Sequence, residues 1–177
     1  PLINEESEKS VKQLTEVLQL VMPSYQEYFY KKFCEKLGLN NIDDKNIKII
    51  DNYLKILHSE SIDFTLSFRN LAKIVNKSMK VEDSVFRESK IFEKWFKAWK
   101  KEINVGDIFH EMNLKNPCYI PRNHLIEDAL KHANNEDMAE TNLMNKLLES
   151  PFKEKDSYEK YTMPSTSDER YVTYCGT

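Results

Sequence analysis

The sequence predicts a mostly α-helical protein, a multi-helix bundle closed by an irregular C-terminal arm. Three observations predict it. Apolar residues recur every three or four positions almost throughout, strand signals are nearly absent, and the 177 residues carry 40% apolar side chains, enough for one core. The helical rhythm stops near Ser150, so residues 1–149 are read as a helical region of about eight helices and residues 150–177 as the arm.

Each element has its own justification. Val11, Leu14, Val17, Leu18 and Val21 predict a helix over Glu5 to Met22, interrupted at Pro23. Tyr25, Tyr28, Phe29, Phe33 and Leu37 predict a second helix, with Pro23 in its first turn and Gly38 as its C-terminal cap. Ile47, Ile50, Leu54 and Leu57 mark a third, ending near His58, and Asp63 is placed to cap a fourth carrying Phe64, Leu66, Phe68, Leu71 and Val75. Phe92, Trp95, Phe96 and Trp99 define a fifth, and F-H-E-M-N-L a short sixth before Asn116-Pro117. The stretch N-P-C-Y-I-P-R-N-H reads as an extended connector, since each proline biases its predecessor away from the helical region. Asn123 is expected to cap a helix through Leu125, Ala129, Leu130 and Ala133, and Asp137 another through Met138, Leu143, Leu147 and Leu148. A short extended piece is expected at Arg170 to Tyr174.

Composition excludes several function classes. Lys and Arg total 26 against 29 for Asp and Glu, so no net basic field attracts a phosphate backbone, and nucleic acid is not an expected partner. The apolar runs are broken by charge far short of the ~20 residues of a membrane span, so neither a membrane partner nor a membrane location is expected. Three cysteines without a C-x-x-C pair indicate neither a secreted disulfide framework nor a zinc knuckle, and a cytoplasmic location is expected. Gly38, Gly106 and Gly176 are the only glycines, too few and too far apart for a phosphate-cradling loop. No Ser, Cys or Thr nucleophile motif is visible. Pro1 in place of an initiating Met suggests a piece of a longer chain.

Candidate sites are few. His58, His110, His124 and His132 are scattered; His124 and His132 lie eight apart, but with no H-E-x-x-H pair or third ligand they read as ordinary polar or core histidines. The W-F-K-A-W aromatics have the spacing of a core stripe rather than of a base-stacking platform. Asp43-Asp44 and Glu82-Asp83 sit where helix starts favour negative charge. Asn116, Pro117, Pro121, Arg122, Asn123 and His124 form a stiff structural connector. Within it Arg122 presents a five-donor fork, either as a bracket between segments or as a clamp for a phosphate or acidic group. Cys175, third from the end in Y-C-G-T, has no neighbouring cation or helix N-terminus to activate it.

K-L-G-L at 36–39, D-F-T-L-S-F-R-N-L at 63–71, N-P-C-Y-I-P-R-N-H-L-I-E-D-A-L at 116–130, S-P-F-K-E at 150–154 and the closing Y-C-G-T together resemble the C-terminal part of the selenoprotein O (YdiU) family, in order and in spacing. Met163-Pro164 departs from the two prolines frequent there. The resemblance implies the C-terminal part of an atypical kinase-like fold, in a protein adenylyltransferase that moves AMP from ATP to Ser, Thr or Tyr hydroxyls with Mg2+ or Mn2+; some members transfer UMP. It places the nucleotide and metal residues upstream, so no catalytic, cofactor-binding or metal residue is assigned here. It implies a redox-regulatory role for Cys175, paired with a cysteine of the kinase-like core; Cys34 and Cys118, inside predicted helical or connector structure, are not the expected partners. The implied partners are that core and the protein substrates, and the piece alone is expected to be inactive and prone to dimerise. The alternative from the residues themselves is a free-standing helical interaction module without enzymatic activity.

Overall fold

The computed structural model describes residues 7–104 and 106–165 of the chain, so the extended piece expected at 170–174, and Cys175, lie outside the described residues. Among those described, the order is α1 (Ser7–Leu37), α2 (Asp44–Ser59), α3 (Phe64–Val75), a 3-10 helix (Val81–Asp83), α4 (Phe92–Trp99), α5 (Ile108–Lys115), α6 (Asn123–Ala133), α7 (Ala139–Leu148) and a second 3-10 helix (Asp156–Tyr161). The only pairing of extended backbone among them is one antiparallel bridge, Leu39 to Ile103. The protein is therefore mostly helical and contains no sheet in this region.

One boundary differs from expectation. Pro23 does not divide two helices; it lies inside a single 31-residue α1. Proline cannot donate to the carbonyl four residues back and crowds it, so the local chemistry favours a break. Here the apolar rhythm runs through in phase, from Leu14, Leu18 and Val21 to Tyr25 and Tyr28, with Pro23 on the opposite, polar side. The helix continues through Pro23 with that face in register on both sides. Gly38 then ends α1 with φ +65°, a left-handed turn in which Leu39 N–H donates to Cys34 O at 2.9 Å. The Ile108 side chain occupies the space a Cβ would need at Gly38.

Asp43 and Asp63 cap α2 and α3 by accepting from the N–H groups of Asn46 (2.8 Å) and Leu66 (2.7 Å). Two other expected caps are displaced by one position. Asn123 is the first helical residue of α6 and Arg122, with extended φ/ψ of −70°/139°, is its N-cap. Asp137 accepts from Ala139 N–H at 3.0 Å, but the residue at the N-cap of α7 is Met138.

Burial forms two clusters rather than one. The larger joins the end of α1 to α2, α3, α4 and α5, with Tyr53, Phe68, Phe86, Phe92, Trp95 and Trp99 at its centre. The aromatic stripe of α4 faces inward: Trp95 and Trp99 stack at 5.7 Å, and their indole N–H groups donate to Ile49 O and Leu37 O, both at 2.9 Å. The smaller gathers Cys118, Tyr119, Leu147 and Tyr161 with Leu125, Leu143 and Met144 between the connector, α6, α7 and the second 3-10 helix. Residues 156–161, read from sequence as part of an irregular arm, thus include a 3-10 turn, with a non-helical kink at Tyr158.

Candidate functional site

Between the two clusters runs an open cleft of about 870 Å³, bounded by α3, the turn before it, residues 79–89 and the segment 154–165. Its chemistry is built from the floor of α3. Arg69, with 6% of its side chain exposed, donates from Nη2 to Glu154 Oε2 at 2.8 Å and from Nη1 to Asn116 O at 3.3 Å. Lys73, one turn further along α3, donates to the other oxygen of Glu154 at 2.6 Å. Burial pushes the Glu154 carboxyl up, but the hydrogen bonds from Lys73 and Arg69 outweigh it and hold the group below the ordinary Glu range. At the other end, Arg122 grips Asp63 with both terminal nitrogens, Nη1 to Oδ2 at 2.8 Å and Nη2 to Oδ1 at 3.0 Å, and Nη2 also donates to Thr162 O at 3.0 Å. Burial raises the Asp63 carboxyl; the Arg122 bonds and those from the backbone N–H groups of Leu66 and Thr65 overcome this and leave it depressed.

The connector residues take distinct places. Asn116 is 1% exposed; its amide donates to Lys36 O and Met112 O, both at 2.8 Å, and accepts from Lys36 Nζ at 3.2 Å. It joins α1 to α5. Pro117 is half-buried, while Pro121 and Asn123 are exposed. His124 is half-buried, and His58, His110 and His132 are exposed. No group of three or more His, Cys, Asp or Glu among the described residues is arranged to hold a metal ion. Cys118 donates from Sγ to Pro151 O at 3.0 Å, and Cys34 from Sγ to Asn41 O at 3.4 Å; burial pushes both thiols up.

Chemically, the cleft holds charges that answer one another. Arg69 and Lys73 share one carboxylate and Arg122 forms a bidentate pair, so the arrangement fixes the relative positions of α3, the connector and residues 154–162. Sequence reasoning had singled out Asp63 as a cap and Arg122 as a fork without joining them across 59 positions. It missed Glu154 and its partners Arg69 and Lys73, for which no local spacing gives a signal.

Comparison with known proteins identifies this scaffold. Residues 6–150 match the family model described as protein adenylyltransferase SelO. The chain is 31% identical to the protein nucleotidyltransferase YdiU of Maridesulfovibrio salexigens over 184 aligned positions, covering 100% of the chain and 37% of that relative. It is 30% identical to the YdiU protein of Cereibacter sphaeroides, again covering 37% of it, and 33% identical to that of Clostridium perfringens, covering 36%. The chain thus spans little more than a third of the length of the curated relatives it matches. With the family model aligned over most of its residues and the matches to these relatives running its whole length, the chain belongs to the SelO family.

Proposed function

We propose that this chain is the helical C-terminal region of a longer cytoplasmic protein adenylyltransferase, one that transfers AMP from ATP to Ser, Thr or Tyr hydroxyls of other proteins with Mg2+ or Mn2+. The observation that carries the reading is the match of residues 6–150 to a family described by that activity, alongside relatives named protein nucleotidyltransferases and far longer than this chain. The residues described here do not fit the nucleotide. Gly38 and Gly106 lie in separate turns and form no loop whose N–H groups could converge on phosphates, and the strong cations of the cleft are engaged by carboxylates. The nucleotide and metal sites are accordingly assigned to a kinase-like core outside these residues, and this region is inactive alone. Its own role is scaffolding, with Asn116 and Arg122 as the brackets that hold the connector to α1, α3 and residue 162.

The same reading gives Cys175 a regulatory role, its thiol pairing on oxidation with a cysteine of the core. The burial of Cys34 and Cys118, each already donating to a backbone carbonyl, favours a partner elsewhere. The test uses the complete natural polypeptide, as wild type and Cys175→Ala, incubated with labelled ATP, divalent metal and a generic protein, with and without reductant. Transfer that rises with reductant in wild type and is already high in the variant is the expected result. No transfer under any condition overturns the proposed chemistry.

A further inference from the structure

The first six turns of α1 carry the largest unexplained feature of the surface. Val11, Leu14, Val17, Leu18, Leu20, Val21, Met22, Tyr25 and Tyr28 each expose between 50% and 74% of their area, whereas beyond them the same helix is covered, with Cys34 at 4% and Leu37 at 0%. Monomers do not ordinarily leave so many large apolar side chains contiguous and in water.

The pattern specifies what covers them. Val11, Leu14, Leu18, Val21, Tyr25 and Tyr28 follow a 3-4-3-4-3 repeat, which is the seam of a helix packed on helices. Val17, Leu20 and Met22 widen that seam on both sides. At about 100° per residue the apolar arc extends over roughly 200° of the circumference. The opposite arc holds Lys12, Glu16, Pro23 and Glu27. A two-stranded pair with a second copy needs only the narrow seam, and would leave Leu20 and Val17 in water; so wide a stripe is what a helix shows when it lies in a groove of a larger folded body.

We infer that Val11–Tyr28 of α1 docks into an apolar groove formed by the part of the same polypeptide outside these 177 residues. Relatives aligned over the whole chain have only 37% of their length accounted for by it, which leaves ample chain to build such a body. Covalent linkage also places that body at high effective concentration next to the stripe. The inference rests on the proposal that the chain is the C-terminal region of a longer protein, and it adds which surface meets the core and by what chemistry.

The test places the photo-cross-linking residue p-benzoylphenylalanine at Tyr25, which keeps the phenyl ring and extends it by a para benzoyl group, in the complete natural polypeptide. A second protein carries it at Glu16 on the polar arc. Circular dichroism checks folding, and Tyr28 serves as the site if the Tyr25 derivative is misfolded. After irradiation at low concentration, the expected product is an intrachain cross-link from residue 25 to a peptide outside this chain, several-fold more abundant than from residue 16. A cross-link between two copies overturns the inference in favour of self-association, and no cross-link, or one confined to these 177 residues, overturns it outright. AMP transfer is measured on the same samples. Transfer without the intrachain cross-link sinks the docking while the enzymatic reading stands, and the cross-link without transfer does the reverse. A natural polypeptide whose intact mass is no greater than this chain's removes both.

Discussion

The Arg122–Asp63 bracket should be the strongest single polar tie between α3 and the connector, and its strength can be worked from its geometry. Arg122 is 9% and Asp63 21% exposed at the side chain, with two charge-assisted bonds at 2.8 and 3.0 Å and a third from Arg122 to Thr162 O. Breaking a buried pair by removing one partner costs about 3–5 kcal/mol. Water can reach part of the freed Asp63, so Arg122→Ala is expected near the lower end, about 3 kcal/mol, including the lost donor to Thr162. Asp63→Asn keeps an acceptor for the α3 cap but removes the charge. A double-mutant cycle through these two changes should give a coupling of about 2 kcal/mol. The assay is native-state hydrogen exchange of peptides covering 62–70 and 120–128, where coupling of that size appears as an approximately 30-fold factor in opening equilibrium constants. The pH dependence has a definite sign. The folded-state Asp63 value is depressed, so the stabilisation is complete above the ordinary Asp range and fades as pH falls through the folded value. A coupling below about 0.5 kcal/mol, the level of an exposed ion pair, would refute the reasoning.

Three further outcomes follow from the same structure. Glu154→Gln should destabilise the contact between α3 and residues 154–162 by about 2 kcal/mol, since it leaves Arg69 buried without its counter-charge, and local exchange or limited proteolysis of that segment reads it. As with Asp63, the depressed Glu154 carboxyl contributes above the ordinary Glu range and its contribution disappears on acidification, so wild type and Glu154→Gln should converge at low pH. Gly38→Ala should lower thermal stability by at least about 1–2 kcal/mol, because a side chain is disfavoured at φ +65° and Ile108 must also move; a neutral melt would contradict the placement of α5 against the end of α1. In the native protein Cys34 and Cys118 should react with a maleimide many-fold more slowly than after denaturation, and rapid native labelling of either would contradict its burial.

What the sequence determined by itself is the set of features that depend on neighbours along the chain. Helices with an apolar face, such as α2, α3 and α4, were legible because side chains three and four positions apart share a face regardless of the rest of the molecule. The caps at Asp43 and Asp63 were legible for the same reason, since a carboxylate reaches only an N–H two or three residues ahead. The family blocks, from K-L-G-L to S-P-F-K-E, were equally a matter of local order and spacing. What only the tertiary structure decided are the features governed by distant partners. Pro23 sits inside one helix, against proline's local preference, with the apolar face in register on both sides of it. Arg122 finds Asp63 across 59 positions and Arg69 finds Glu154 across 85, pairs that no periodicity encodes because the loops between them are free to vary in length. The division into two buried clusters with a charged cleft between them is likewise a property of packing. Burial is fixed by what comes to lie against a face, and a single stripe of sequence does not contain its partner.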